Sequence, residues 1–116
     1  MSTLTIYHNP RCSKSRQTLQ LLTDANADVE IVEYLKTPPT AEKITNILAL
    51  LNIAPRALMR TKEAEYKEQN LSNEELTDTQ LIAAMIATPK LIERPIVVTK
   101  TQACIGRPPE NALALL

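Results

Sequence analysis

"TLTIYHNPRCSKSRQTLQLLTDANADVEIVEY", residues 3–34, is the stretch on which the fold turns. Its opening, "TLTIY" at 3–7, alternates with Leu4 and Ile6 on one side, the period-two pattern of a short strand. Asn9-Pro10 ends that strand, because proline has no N–H to give to a ladder and biases Asn9 toward extended backbone. From Ser13 the pattern turns helical: Thr18, Leu19 and Leu22 are spaced for one buried face, and Asn26 is suited to ending the helix. "VEIVEY" at 29–34 is rich in β-branched residues and predicts a second strand. Strand, helix and strand within about thirty residues is the size of a right-handed βαβ unit.

Working outward, "TPPT" at 37–40 is a turn, and Thr40 is a good N-cap for a helix carrying Ile44, Ile47, Leu48 and Leu51 on one face. Pro55 opens a further helix through Arg56 and Arg60, and the polar segment 61–76 follows. Thr77 or Asp78 caps another helix with Leu81, Ile82, Met85 and Ile86 as its apolar face, stopped before Pro89. These helices read as one insertion at about 38–90, without repeat or linker. "PIVVT" at 95–99 and "QACIG" at 102–106 have hairpin spacing across Lys100 and Thr101, and Gly106, the chain's only glycine, stands where the last strand ends. "RPPENALALL" closes with proline at a helix start, Glu110 in its first turn, and Leu113 and Leu116 on one face. The order β-α-β, helical insertion, β-β-α predicts an α/β protein with a four-stranded mixed sheet, built as a single domain over 1–116.

Composition narrows the function classes. The chain has 116 residues, enough for one core, and is 44% apolar and 22% charged. With three Tyr and neither Phe nor Trp it lacks the stacking platforms of single-stranded nucleic-acid binders. Thirteen Lys and Arg balance thirteen Asp and Glu, so the overall field gives no reason to expect nucleic acid or an anionic membrane as partner. No apolar run approaches the ~18 residues of a membrane span. "MSTLTIYHN" lacks the features of a signal peptide, and two cysteines in such a chain fit a reducing, cytoplasmic setting with free thiols. His8 and Cys12 stand at i, i+4 with only Cys104 to join them, so no metal site is expected.

The chemistry concentrates at Cys12. It falls at or just before the start of the first helix, where unpaired N–H groups and the helix dipole stabilise a thiolate and attract anions. His8, Arg11, Lys14 and Arg16 are placed to push the same way, and Ser13 and Ser15 to donate to sulfur. A structural cysteine prefers apolar surroundings, so this setting predicts a reactive one. A dithiol oxidoreductase would carry a second cysteine where Ser15 stands. A cysteine phosphatase would need five residues between Cys and Arg, often with glycine, whereas Cys12 and Arg16 enclose three. What remains is a nucleophilic thiolate that completes its cycle with an outside thiol. Arg60, Arg94 and Arg107 are candidates for an anion site, since a guanidinium fork suits a tetrahedral oxyanion, but spacing alone does not select them over Arg16 or Arg56.

"HNPRCSKSR" at 8–16, "YLKTPPT" at 34–40, "RTKEAEY" at 60–66, "ERPIVV" at 93–98 and "GRPPE" at 106–110 together resemble the glutaredoxin-linked arsenate reductase family, nearly end to end and in the right order. The resemblance implies a thioredoxin-like fold with a helical insertion. It makes Cys12 the nucleophile that forms a covalent arsenate adduct, and Arg60, Arg94 and Arg107 the groups that hold the oxyanion. It also makes His8 a histidine that favours the thiolate, Ser15 a serine beside the sulfur, and Pro95 the proline that follows a cis peptide. Arsenate, glutathione as co-substrate and glutaredoxin are the implied partners, with no bound cofactor and a monomeric chain expected. Two other readings stay open on the residues: a monothiol oxidoreductase acting on glutathione mixed disulfides, and a non-enzymatic thiol sensor or transcription-complex binder. The latter branch typically carries C-x-x-C, which Ser15 breaks.

Overall fold

The structure, a computed structural model, describes residues 3–116. The chain forms two compact units, one made of the residues up to Thr37 together with Arg94–Leu116, the other of Pro38–Glu93.

In the first unit β1 (Leu4–His8), α1 (Ser13–Asp24) and β2 (Val29–Glu33) form the βαβ unit, and β3 (Ile96–Val98) and β4 (Ala103–Ile105) complete the sheet. Strand order is β2-β1-β3-β4. β1 runs parallel to β2, with Leu4 opposite Val29 and His8 opposite Glu33, and antiparallel to β3. β3 and β4 pair antiparallel. This mixed four-stranded sheet in β-α-β and β-β-α order is the thioredoxin-like arrangement expected. Leu4, Ile6, Leu22, Val97 and Ala112 form its buried core. Burying side chains of this size stabilises by about 1.5–3 kcal/mol for each of the larger ones.

Local signals explain most boundaries. α1 ends where Asn26 takes φ 60°, and the Ala27 N–H returns to the Leu22 carbonyl at 3.0 Å. The β3–β4 connection is wider than the Lys100-Thr101 pair expected: the Thr99 N–H donates to the Gln102 carbonyl at 2.8 Å. The Thr99 hydroxyl organises this loop by accepting the N–H groups of Thr101 and Gln102. The last segment, Pro109–Leu115, is a 3-10 helix, whose three-residue repeat puts Pro109 and Ala112 on its inner face. Ala112 is fully buried, whereas Leu113 and Leu116, expected to share a face, are 40% and 58% exposed.

In the second unit lie α2 (Ala41–Leu51), α3 (Ala64–Glu68) and α4 (Asp78–Ala87). Thr40 caps α2 through the Lys43 N–H, and Thr77 forms a capping box with Gln80. Ile44, Ile47 and Leu48 of α2 are buried as expected, with Leu81 and Met85 of α4, while Leu51, Ile82 and Ile86 are only partly covered. The helix expected from Pro55 to Arg60 is shorter, a 3-10 turn over Pro55–Leu58. Beyond it Met59 bridges Ile92, and the Arg60 N–H reaches the Leu91 carbonyl at 2.7 Å, so Arg60 sits on extended backbone. Within the polar 61–76 segment the sequence reading missed α3, a five-residue helix that buries only Tyr66.

Candidate active site

The site is built on the loop that carries the chain from the end of β1 into α1. The Asn9 side-chain oxygen accepts the Arg11 N–H at 3.0 Å, and the Asn9 carbonyl accepts the Cys12 N–H at 3.0 Å. This is an Asx-type turn, and it shows what Asn9 contributes beyond preceding proline. Arg16 Nη1 donates to the Pro10 carbonyl at 2.9 Å, tying the loop to the first turn of α1. Cys12 itself is the N-cap, with φ −95° and ψ 123°, and its side chain caps no backbone group. It is 8% exposed.

A second segment brings charge to the sulfur. Arg107 Nη2 lies 3.8 Å from Cys12 Sγ, across 95 residues of sequence. Its Nε donates to the Arg94 carbonyl at 2.9 Å, so the two arginine segments are held to each other. The Arg94–Pro95 peptide is cis, as the resemblance implied, and Arg107–Pro108 is cis as well, which no sequence signal suggested. The Gly106 N–H donates to the Pro95 carbonyl at 2.9 Å. A Cβ on Gly106 would stand 2.5 Å from Thr18 Oγ1 and 2.8 Å from Pro95 Cγ. Only glycine fits there, and this close approach of the chain to α1 carries Arg107 to the sulfur. Thr18, read in the sequence only as core, is thus part of what seats the arginine.

The balance of forces on the thiol favours the anion. Burial is the largest influence and opposes ionisation. Against it act the Ser15 N–H, the Arg94 charge, the Lys14 N–H and the Arg107 charge, and together they hold the Cys12 thiol below its ordinary range. The cations expected to do this from the sequence were Arg11, Lys14 and Arg16. In the structure Lys14 acts through its backbone, Arg11 and Arg16 are exposed, and the charges that act come from Arg94 and Arg107.

His8 and Ser15 form a buried pair. Ser15 is fully buried, with its hydroxyl 2.7 Å from His8 Nδ1 and accepting the Asn9 N–H at 3.0 Å. It is therefore the backbone of Ser15, not its side chain, that lowers the thiol. Burial pushes His8 below the usual imidazole value, with Arg16 adding to the fall and Glu33 opposing it. A neutral imidazole results at neutral pH, so His8 acts on the loop through Ser15 rather than as a cation beside the sulfur.

The other arginines are now separable. Arg56 is committed to structure: it donates to the Tyr66 hydroxyl at 2.7 Å, to the Leu71 carbonyl and to the Asn73 carbonyl at 3.1 Å. Arg16 serves the Pro10 carbonyl. Arg60 lies in the second unit, where it pairs with Glu63 at 2.9 Å, and Glu63 also meets Lys90 at 3.4 Å. The first unit thus assembles Cys12, His8, Ser15, Arg94 and Arg107, while Arg60 is held by its own ion-pair network. Cys104, on β4, has its thiol pushed up by burial. Among the described residues no group of three or more His, Cys, Asp or Glu side chains could hold a metal ion, and no helix is long and apolar enough to cross a membrane.

Comparison with known proteins places this geometry. The ArsC family profile matches residues 7–115. An uncharacterized protein of Escherichia coli K12, YfgD, is 51% identical over 112 residues, covering 96% of this chain and 94% of that protein. An arsenate reductase of Neisseria meningitidis is 44% identical over 117 residues, covering 100% of both. Among solved structures, an arsenate reductase from Vibrio cholerae superposes with a TM-score of 0.96 at 48% identity, covering 99% of this chain and 98% of that one. By sequence and by fold, the chain belongs to the ArsC family.

Proposed function

We propose that the protein reduces arsenate to arsenite through a covalent Cys12 adduct, taking its electrons from glutathione and glutaredoxin in the cytoplasm as a monomer with no bound cofactor. The observation that carries this reading is the Arg107 guanidinium 3.8 Å from a thiol already biased toward its anion. A lowered thiol beside a cation is both a nucleophile and a seat for a tetrahedral oxyanion.

The steps balance as follows. The Cys12 thiolate attacks arsenic, a sulfur–arsenic bond forms, and one arsenate oxygen leaves as water after taking a proton. Glutathione then attacks the adduct, its sulfur bonding to arsenic while a second oxygen leaves as water. A glutaredoxin thiolate attacks the glutathione sulfur, and the arsenic–glutathione bond breaks with its electron pair remaining on arsenic. Arsenic passes from As(V) to As(III), and the two thiols become one mixed disulfide. Water displaces Cys12 from As(III), releasing arsenite and returning the thiol.

Each residue has a part in this scheme. Arg107, Arg94 and the N–H groups at the start of α1 hold the oxyanion and offset the charge that builds during attack. The resemblance implies Arg60 as a third arginine for the oxyanion; within the second unit it pairs with Glu63 at 2.9 Å. His8 and Ser15 are positioning residues that fix the loop around Cys12. External thiols are needed because the position of a resolving cysteine is filled by Ser15, whose hydroxyl is already engaged by His8 and Asn9. The test is NADPH oxidation in a mixture of arsenate, glutathione, glutaredoxin and glutathione reductase. An arsenate-dependent signal that disappears in Cys12→Ser is expected; no such signal in the wild type, or one that persists in Cys12→Ser, would overturn the proposal.

A further inference from the structure

A second feature of the first unit is unused by that chemistry. Between the β1–α1 loop and the end of β2 lies a cavity of about 250 Å3 lined by His8, Asn9, Pro10, Arg11, Glu33, Leu35 and Lys36. Arg11 is covalently next to Cys12, so their Cα atoms are about 3.8 Å apart and the cavity adjoins the nucleophile's loop. Three formally charged side chains line it: the cations Arg11 and Lys36 and the anion Glu33. Pro10 and Leu35 give it apolar wall, and Leu35 is an exposed large hydrophobic at 44%. Among the described residues Arg11 makes no ion pair, and Lys36 touches Glu33 only at 3.7 Å, with its side chain 79% exposed. Neither cation is therefore committed to structure in the way Arg56 is.

We propose that this cavity binds the peptide thiol that attacks the Cys12 adduct, with Arg11 and Lys36 taking its carboxylates, Glu33 its ammonium group and Leu35 packing on its methylenes. The charges match one for one. A γ-glutamyl tripeptide thiol carries two carboxylates and one ammonium at neutral pH, and the cavity offers two cations and one carboxylate. The volume is below the ~300 Å3 at which sites enclosing a drug-sized ligand begin, so it seats part of the peptide and leaves the thiol free to reach the arsenic held on Cys12. The assignment rests on the proposed use of glutathione, but its binding element can be tested without any arsenate chemistry.

The probe is S-methylglutathione, whose capped sulfur cannot react. Titrated into the isotope-labelled protein, it should shift the backbone amides of Arg11, Leu35 and Lys36 in NMR spectra. Its diester, with both carboxylates neutralised, should leave them unmoved. Lys36→Glu, at a position exposed enough not to disturb folding, should weaken binding by about tenfold, the order expected for reversing one exposed charge. In the coupled assay the same variant should raise KM for glutathione by a similar factor and leave KM for arsenate unchanged. Shifts centred elsewhere, equal binding of the diester, or a Lys36→Glu variant with unaltered glutathione KM would each overturn the assignment. If arsenate is not reduced but S-methylglutathione still binds here, the proposed reaction fails and the site stands. If arsenate is reduced with no change at Lys36, the reaction stands and the site fails.

Discussion

Replacing Gly106 by alanine should damage the protein twice, once in its packing and once at the sulfur. Ordinary van der Waals contact for a Cβ begins at 3.4 Å, and the new methyl would stand 2.5 Å from Thr18 Oγ1 and 2.8 Å from Pro95 Cγ. One or both neighbours must then give by up to about 0.9 Å, the difference between 3.4 and 2.5. Neither is a loose side-chain end. Thr18 is fully buried and its hydroxyl donates to the Lys14 carbonyl at 2.8 Å, while Pro95 is a buried ring in the backbone. Overpacking of this kind costs roughly 1–3 kcal/mol. For a chain of this size each kcal/mol moves Tm by about 5 °C, so thermal unfolding followed by circular dichroism should show a fall of roughly 5–15 °C. Because Arg107 is the next residue, the displacement also draws its guanidinium from Cys12, and iodoacetamide alkylation of Cys12 should require higher pH. Adding Thr18→Ala removes the contacts at 2.5 and 3.0 Å, so the double variant should be more stable than the sum of the two changes by about 1 kcal/mol. A Gly106→Ala protein with Tm within about 1 °C of wild type and an unmoved alkylation profile would refute this account of how Arg107 is seated.

Other outcomes follow from the same geometry. In alkylation against pH, Cys12 should react at lower pH than an ordinary thiol and Cys104 at higher pH; Arg107→Ala should shift only the Cys12 midpoint, upward. Since the folded chain releases the Cys12 proton more readily than the unfolded chain, that ionisation contributes stability present above the unfolded thiol's pKa and lost as pH falls through the folded value. Urea unfolding should therefore show wild type gaining on Cys12→Ser as pH rises across that window. Ser15→Ala strands His8 Nδ1 and the Asn9 N–H in a buried place and should cost about 2 kcal/mol in the same measurement. His8 is likewise depressed, so its contribution is complete above the unfolded imidazole value of about 6.5 and lost as pH falls through the folded one. A His8→Asn protein should show less of this acid-side loss than wild type.

What the sequence disclosed, and what it withheld, divides along the range of the forces involved. The βαβ unit, the caps at Thr40 and Thr77 and the stop at Asn26 are local, and each is legible from residue type and spacing within a few positions. The placement of Cys12 at the start of α1 is local too, and so is the help from backbone N–H groups. The charges on the sulfur are not. Arg11, Lys14 and Arg16 are near in sequence, yet the guanidiniums that act on it are Arg94 and Arg107, delivered by chain reversal through the hairpin and the tight approach of Gly106. The resemblance picked those arginines out where spacing did not. The last helix misled for a different reason: Leu113 and Leu116, three apart, fall on one face in either helix type, but the row turned inward is that of Pro109 and Ala112, and both leucines are left exposed. α3 was invisible because a five-residue helix burying one tyrosine leaves almost no periodic pattern.

The central claim is that Cys12 attacks arsenate and holds it covalently before any reductant acts. Mass spectrometry of protein treated with arsenate alone tests it most directly. The account predicts a single arsenic adduct that maps to Cys12, vanishes in Cys12→Ser and is undiminished in Cys104→Ser. No adduct on the wild-type protein, or one that survives in Cys12→Ser, would contradict it.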